Sequence, residues 1–519
     1  MKDEQAAKEA AEFLEAHPDA NLEELKKRVS AKYKIKGVVK NSLILQFVSE
    51  KNRKKLIHVL QIRPMRTGSG VATIAVMTKS DCPHGRCLYC PRGENAPQSY
   101  TGREPAAMRA AQNDFDPYKQ VSARLRQLHE IGHETSKCEL IIMGGTFNAQ
   151  PKKYKEWFVK GCFEGLNKRR AKTIAEAQEE NEKAKARAVG LTIETRPDWC
   201  KQKHVDEMLS WGATRVELGV QTLSDAVYRK VNRGHTVADV VEATRVCKDS
   251  GLKVCYHMMP GLFADKKKDV AMFRKLFSDA RFMPDMLKIY PCMVLKGTEL
   301  YEMWKRGEYE PYDSEEAADV IASATKHIPK FARVMRMQRD IPVQLIEAGV
   351  KKSNLQQLVE AKLEARGEKC ACIRCREAGL KKIKQGLKTI FTNVKLERID
   401  YKASGGHEIF LSYVDKKNDA LIGFLRLRVP FKPHRKEITK DSALVRELHV
   451  YGVEVMVGGK AEQELQHRGY GARLLKEAER IASKEYGKKK LVVISGIGAR
   501  EYYYKRAYKR ECVYVSKRI

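Results

Sequence analysis

No apolar run in this 519-residue chain approaches the roughly 20 residues a membrane-spanning helix requires; the longest, such as Gly70–Met77 and Leu140–Met143, fall far short. No spanning helix is expected. The start, MKDEQAAKEAAEFLEA, alternates acids and bases where a secretory signal would need an apolar stretch behind a basic start, so a cytoplasmic chain is expected. Proline (17) and glycine (34) are too sparse for a low-complexity or disordered chain, and 43% apolar residues can build real cores. Internal repeats are absent. Acids are also scarce: 66 Asp and Glu against 99 Lys and Arg leave a formal charge of +33. That surplus is far beyond what solubility needs and points to a polyanionic partner, nucleic acid first.

A disulfide framework is excluded as well. The thirteen cysteines are odd in number, and six fall in two tight trios, Cys82, Cys87, Cys90 and Cys370, Cys372, Cys375. Clustered thiols in a reducing compartment mean metal more often than bridges. The other seven, Cys138, Cys162, Cys200, Cys247, Cys255, Cys292 and Cys512, read as small buried hydrophobes.

The length suggests two to four domains, and the pattern changes along the chain support this. Residues 1–25 read as one or two amphipathic helices with Leu14, Leu22 and Leu25 on the apolar side. Lys26 to Arg66 carries thirteen basic residues against the single acid Glu50, with Tyr33 and Phe47 interleaved, which reads as a nucleic-acid contact surface. From Val71 to about Pro342, VATIAVMT, CELIIMGG, AVGLTIET, TRVELGV, GLKVCYHMMP and MLKIYP look like six buried parallel strands separated by helix-length segments. Such βα units close into a full or partial barrel whose C-terminal strand ends carry the chemistry. Ala171–Ala188 reads as a charged, exposed helix. Residues 343–385 turn charged and cysteine-containing, which suits a linker. After Gly386, EIFLSYVD, ALIGFLRLRV and ALVRELHVYG read as antiparallel strands, followed by a helix at HRGYGARLLKEAERIASKE and the strand KLVVISG, an α+β domain.

The loop DCPHGRCLYCPRG follows the first predicted strand with thiol gaps of four and two residues. Three thiolates on one loop can hold three irons of a 4Fe–4S cubane and leave the fourth iron open to an outside ligand. Structural zinc is the alternative, with His84 available as a fourth ligand. Gly144 and Gly145 follow a strand, where a bare backbone can approach a ligand closely. Glu194, Arg196, Glu217 and Gln221 stand at predicted strand ends and could point into the barrel mouth; for each a structural ion pair is an equal reading. The spacing in KCACIRCRE is too tight for a helical core face and suggests zinc needing one more ligand, against free linker thiols. In ELQHRGYGARLLKEAE, Gly469 and Gly471 open an amphipathic helix whose unpaired N–H groups could cradle pyrophosphate, unless this is a plain loop-to-helix turn.

Taken together, MRTGSGVATIAVMTKSDCPHGRCLYCPRG, PQSYTGREPAAMRA, MGGTF at Met143–Phe147, GLTIETRPDWC, VELGVQT, VNRGHTVADV, YHMMPGL and LKIYPCMVLKGTELYEMW resemble the Elongator protein 3 family over nearly the whole chain. The compact thiol loop resembles archaeal and bacterial members; eukaryotic ones have a longer loop. The resemblance implies a radical S-adenosylmethionine (partial TIM-type) barrel at 71–342 and a GNAT acetyltransferase domain at 386–519. A basic helical tRNA-binding region at 1–70 and a zinc-binding linker at 343–385 complete the expected α/β architecture. It implies that Cys82, Cys87 and Cys90 hold a 4Fe–4S cluster with S-adenosylmethionine, contacted by Gly144, Gly145 and Glu194, and that Cys370, Cys372 and Cys375 bind structural zinc. Acetyl-CoA contacts map onto Glu447, Leu448, His449, Val450, Leu465, Gln466, His467, Gly469, Gly471 and Tyr503, with Lys137 reaching the acyl donor from the barrel; Lys137, Glu447, His449 and Tyr503 are the catalytic candidates. Tyr502 and Tyr503 could otherwise be core aromatics.

The implied chemistry is carboxymethylation at C5 of the wobble uridine in a tRNA anticodon stem-loop. A 5′-deoxyadenosyl radical would activate the acetyl methyl group, the resulting carbon radical would add to C5, and hydrolysis would follow. An electron donor is implied, and a homodimer is left open. The competing readings are a protein lysine acetyltransferase with a structural iron–sulfur cluster, using Glu447 or His449 as base, and a non-catalytic RNA-binding scaffold.

Overall fold

The structure, a computed structural model, describes residues 2–62, 67–387, 389, 391–451 and 469–519. Four helices come first: α1 (Lys2–Ala16), α2 (Leu22–Lys32), α3 (Asn41–Phe47) and α4 (Glu50–Leu60). Ala6, Ala7, Ala10, Ala11 and Leu14 put a small-residue face of α1 wholly inside, so neighbouring helices approach closely around Leu25, Val29, Ile44 and Leu45. Asn21 caps α2 by accepting the N–H groups of Glu23 and Glu24.

The next unit contains β1 (Ala72–Met77), β2 (Lys137–Met143), β3 (Arg187–Thr195), β4 (Arg215–Gln221), β5 (Lys253–Met258), β6 (Met286–Ile289), β7 (Val294–Leu295), β8 (Arg333–Arg336) and β9 (Ile346–Ala348). Seven of them form one parallel sheet in the order β1-β2-β3-β4-β5-β6-β8, and β7 and β9 pair separately. Because β1 and β8 do not pair with each other, the curled sheet stays open along one side. One residue from each strand, Thr73, Met143, Glu194, Glu217, His257, Lys288 and Arg336, lines the same interior cavity of about 820 Å³. The six expected strands are present, and β8 is a seventh.

The expected long, exposed helix at Ala171–Ala188 is shorter and half-buried: it spans Ile174–Asn181, with Ala177, Gln178 and Asn181 inside. Asn181 ends it, donating to Ala186 O (3.1 Å) and accepting from Ala188 N–H (2.7 Å), which turns the chain into β3. Residues 343–385 are folded rather than a tether, since Leu355, Val359 and Leu363 of the helix Leu355–Ala365 join the main core.

The last unit contains β10 (Val394–Ala403), β11 (Gly406–Asp415), β12 (Ala420–Val429), β13 (Ser442–Val450), β14 (Lys490–Val493), β15 (Lys509–Glu511) and β16 (Tyr514–Arg518), in sheet order β10-β11-β12-β13-β14-β16-β15. β13 and β14 are parallel and pair only from Ser442↔Lys490 to Val445↔Val493. Beyond that point β13 runs on to Val450 against β12 alone, so the two strands splay. Strand β10, absent from the sequence expectation, is an exposed edge.

This unit packs under the N-terminal ends of the barrel strands. Arg187 at the start of β3 pairs with Glu501 (3.0 Å), Gly496 lies directly on the Val189 backbone, and Tyr514 donates to Ser250 O (2.9 Å). No helix among the described residues is long and apolar enough to cross a membrane.

Candidate active site

The thiol loop leaves the C-terminal end of β1 and is shaped by side chains that bond its backbone. Gln98 accepts the Cys82 N–H (2.8 Å) and donates to Gly85 O (2.7 Å), while Asn232 donates to Arg86 O (3.0 Å). Each of two sulfurs faces a donor: Thr146 Oγ1 lies 3.3 Å from Cys82 Sγ, and His84 Nε2 and Arg233 Nη1 lie 3.3 and 3.6 Å from Cys87 Sγ. Burial pushes the Cys82 thiol up and the Cys90 thiol to about 11. A thiol raised in this way stays neutral near pH 7 unless a bound cation holds it as thiolate. Among the described residues, two groups of ligand atoms lie wholly within 4.8 Å of one another: Cys370, Cys372, Cys375 and Glu217, Cys255, His257. The trio at 82, 87 and 90 is not one of them. Sulfurs on one zinc ion stand about 3.8 Å apart, so the wider trio suits the corners of a larger cluster.

His84, the alternative zinc ligand, is engaged elsewhere. Its Nδ1 contacts Arg196, which also forms a two-bond pair with Asp198 (3.0 and 3.0 Å). Burial, with Arg196 and Arg233 nearby, drives its pKa down to about 3, so it is neutral.

Gly144 and Gly145 stand at the end of β2 with φ of +111° and +51°. A Cβ on Gly144 would meet Thr78 O at 2.6 Å, and one on Gly145 would meet Ser80 O at 2.2 Å. The glycines therefore let the thiol loop and the β2 turn come together at the cavity wall.

Glu194, Arg196, Glu217 and Gln221, taken from the sequence as strand-end candidates, all line the cavity. Residues that sequence reasoning missed complete the lining. Lys288 Nζ contacts the Glu217 carboxylate and lies 3.1 Å from Glu194; His257 Nε2 lies 2.8 Å from Glu217; Tyr100 donates to Glu194 at 3.4 Å. Burial alone would raise the Glu217 carboxyl, but Lys288, His257 and Arg215 hold it well below the usual range. Gln221 has φ +71° and a buried Oε1 with no partner, strain of the kind concentrated at binding sites. A signal for the missed residues existed: His257 and Lys288 interrupt apolar strands near their C-terminal ends.

In the last unit, Glu447 and His449 share the face of β13 turned to the barrel. Arg426 donates to Glu447 at 2.8 Å and Lys253 of β5 stands 3.9 Å away; His449 Nε2 lies 3.3 Å from Ser69 O. Burial would raise Glu447, but Lys253 and Arg426 lower it; burial also lowers His449. Leu448 and Val450 face the opposite side, Val450 packing with Tyr470 of the helix Tyr470–Arg480. Gly469 precedes that helix with φ +74°, and a Cβ on Gly471 would lie 2.8 Å from the Tyr502 hydroxyl. Tyr503 is buried in the domain core beside Tyr508, whereas Tyr502 carries a buried hydroxyl without a partner to the helix start. Leu465, Gln466 and His467 lie outside the described residues. Lys137 opens β2 in register with Arg187, at the end of the strand that faces the last unit and away from Gly144.

Cys370, Cys372 and Cys375 gather as a second donor set, with 3.7 Å between the sulfurs of Cys372 and Cys375. That spacing matches the edge of a zinc tetrahedron, about 3.8 Å. No fourth Cys, His or carboxylate joins them within 4.8 Å among the described residues. Cys138, Cys162, Cys200, Cys247, Cys255 and Cys292 are buried as expected, but Cys512 is exposed, and Cys200 and Cys247 are neighbours at 3.3 Å rather than single. On the basic surface, Lys51 and Lys55 are exposed. Arg53 instead ties helices together, donating to Leu45 O (2.9 Å) and His129 O (3.2 Å). Arg63, Arg66 and the Lys54 side chain lie outside the described residues.

Family models match the chain in four successive stretches. The ELP3 N-terminal domain model matches residues 5–68, the radical SAM superfamily model 78–277, the radical SAM C-terminal domain model 284–365 and the acetyltransferase (GNAT) family model 385–508. A tRNA uridine(34) acetyltransferase of Methanocaldococcus infernus is 52% identical over 507 residues, spanning 96% of this chain and 95% of that protein. Human Elongator complex protein 3 is 41% identical over 98% of this chain and 95% of its own length. A solved structure of the archaeal Methanocaldococcus infernus Elp3 with an N-terminal deletion (1–46) is 50% identical and superposes with a TM-score of 0.78, covering 87% of this chain and 100% of that one.

Proposed function

Because the chain belongs to the family of Elongator complex protein 3 and the archaeal tRNA uridine(34) acetyltransferases, we propose that it carboxymethylates C5 of uridine 34 in tRNA by radical activation of acetyl-CoA. One observation carries this reading. The cavity runs from the thiol loop at Cys82 and Cys87 to Thr67 and Thr73. Ser69, between those two threonines, gives its carbonyl to His449 of the acetyltransferase unit. A site that makes a radical and a site that presents a thioester would thus stand toward the two ends of one barrel cavity, whose walls would shorten the path of a reactive fragment through bulk water.

Cys82, Cys87 and Cys90 would hold a 4Fe–4S cluster that, with S-adenosylmethionine, would supply the one-electron chemistry needed to activate the acetyl methyl group. The chain's own groups do the positioning. Gly144 and Gly145, by letting the β2 turn close on the thiol loop, would place backbone groups beside a charged amino-acid ligand there. Glu194 and Glu217, fixed by Lys288, offer carboxylate acceptors on the cavity wall, and the unpaired Gln221 Oε1 a further acceptor. On the acyl side, the splay of β13 from β14 and the Gly469–Gly471 helix start would take the acetyl-CoA pyrophosphate, and Lys137 stands at that end of the barrel. Arg336, Arg339 and Arg374 lie on the open side between β8 and β1, where phosphates flanking an extruded anticodon base would be met. Cys370, Cys372 and Cys375 would hold zinc structurally.

The lysine acetyltransferase reading asks for a free base near the thioester. Glu447 is committed to Arg426 and His449 to Ser69 O, which disfavours it. The deciding experiment is anaerobic reconstitution with iron and sulfide, followed by incubation with tRNA, acetyl-CoA, S-adenosylmethionine and a reductant. The expected product is tRNA heavier by one carboxymethyl group at uridine 34, formed only when every component is present. Formation of 5′-deoxyadenosine without a modified nucleoside would remove the proposed reaction.

A further inference from the structure

Arg233 is buried at 8% exposure, and its charge has no carboxylate within 4.0 Å among the described residues. One arm donates to Gly219 O at 2.5 Å, another reaches Cys87 Sγ at 3.6 Å, and Nε has no partner among the described residues. Of the other arginines around the loop, Arg196 is paired with Asp198 and Arg92 with Asp81, while Arg86 donates to the Cys90 and Gly297 carbonyls and Arg339 to Ser99 O. Burying an isolated guanidinium in such a place is unfavourable unless an anion meets it. The anions within reach are the sulfurs of the thiol loop.

Space has been made for this contact. A Cβ on Gly219 would lie 2.5 Å from Arg233 Nη2, and one on Gly234 would lie 2.8 Å from His84 Cβ. Glycine at both places lets the 233–235 segment seat its arginine against Cys87.

We propose that Arg233 is the counter-charge of the iron–sulfur cluster and raises its reduction potential. The inference rests on the reading that Cys82, Cys87 and Cys90 hold a 4Fe–4S cluster. A cubane bearing thiolates is anionic and gains one further negative charge on reduction, so a fixed cation touching a ligand sulfur favours the reduced form. Arg233 is a positioning residue in this role and need not touch substrate.

The test uses the full-length protein, reconstituted anaerobically without tRNA or acetyl-CoA, and reads iron and sulfide content and the midpoint of an EPR-monitored redox titration. Arg233→Met is expected to disfavour cluster reduction at least tenfold, a fall of 59 mV or more. Arg233→Lys, which keeps a charge but loses the fork, falls between the two. Gly219→Ala displaces an intact guanidinium and should also lower the midpoint. A cluster that assembles with Lys but not with Met at 233 supports the counter-charge; if neither assembles, the Gly219→Ala midpoint decides. Midpoints equal to wild type in Arg233→Met, or in Gly219→Ala where that variant decides, overturn the inference while leaving the cluster in place. Wild-type protein that takes up no iron fails at the earlier step, the reading of the thiol loop, and the inference falls with it.

Discussion

Arg446 and Asp285 form a two-bond ion pair across the boundary between barrel and acetyltransferase unit, at 2.9 and 2.6 Å, with both side chains wholly buried. Lys248, Glu408 and Arg426 share the same knot, and Arg428 with Asp249 adjoins it. Burial, with Arg446 next to it, pushes Lys248 down to about 8. Removing one partner leaves buried charge uncompensated, so Asp285→Ala should cost about 3–5 kcal/mol in urea unfolding. Replacing both partners, as Asp285→Leu with Arg446→Met, should cost less than the single change. If Asp285→Ala unfolds within about 1 kcal/mol of wild type, the knot does not hold the two units together.

Asp269 gives a pH dependence of opposite sign to that of Asp285. Burial would raise Asp285, but Arg446, Lys248 and Arg426 hold it far below the ordinary aspartate value. Its stabilisation is present above about pH 4 and is lost as pH falls through the folded value. Asp269 is raised to about 7 by burial, although Gly261 N–H and the Tyr312 hydroxyl both donate to its Oδ2 (2.7 and 2.9 Å). The folded protein therefore holds a proton there that the unfolded chain has released, and stability falls as pH rises from about 4 to 7. In Asp269→Asn that part of the slope should vanish. Urea midpoints at pH 5 and 7 for both proteins check this; parallel slopes would mean the carboxyl ionises normally.

Six of the seven barrel strands were legible because each is largely buried and so reads as a short, mainly apolar run even where Glu217, His257 or Lys288 interrupts it. β8 was not, since its four residues, Arg333–Arg336, offer only Val334 and Met335 between two arginines at the sheet's open edge. β10 was missed for a related reason: an edge strand with one face in solvent carries Lys395, Glu397 and Arg398 where a central strand would be apolar. The helix expected through Ala188 was overextended because residues 182–188 keep a helix-forming composition, while the Asn181 side chain turns the chain there by bonding Ala186 O and Ala188 N–H. Local spacing displayed the thiol trios and the paired glycines. Arg233, Lys288 and His257 were obscure because each owes its place to a different strand or loop, and nothing in one segment announces the others.

The basic N-terminal region should contribute to tRNA affinity through its exposed lysines and not through Arg53. Lys51 and Lys55 reach solvent, so Lys51→Ala and Lys55→Ala should each reduce the slope of log affinity against log salt by about 1 and leave acetyl-CoA binding unchanged. Arg53→Ala removes the bonds to Leu45 O and His129 O and should instead lower the thermal midpoint. Gel-shift titrations over a salt series separate the two. An unchanged slope in the double lysine variant would put the RNA surface elsewhere.

Gly145→Ala tests the turn at the end of β2. The added methyl would sit 2.2 Å from Ser80 O at a φ of +51°, so the β2 turn and the thiol loop must separate. A loss of S-adenosylmethionine binding by at least tenfold is expected in equilibrium dialysis of the reconstituted protein, with iron content retained. Wild-type affinity in this variant would mean that the turn is a packing device alone.

The thiols at 370, 372 and 375 hold a segment that touches both catalytic units. Ile373 N–H donates to Ala332 O (2.9 Å) and Arg374 to Met335 O (2.6 Å), which secures β8 at the open edge of the barrel; Arg376 donates to Asp419 (2.9 Å) before β12. If zinc closes this loop, its binding energy is also folding energy for the edge strand and for the domain contact. Purified protein should carry about one zinc per chain in addition to cluster iron, and Cys375→Ser should lose the zinc and lower the thermal midpoint. Because zinc needs deprotonated thiolates, acid should release it before the barrel unfolds. Elemental analysis beside thermal unfolding decides the matter: a metal-free Cys375→Ser variant as stable as wild type would reduce the trio to free thiols on a segment held by its hydrogen bonds alone.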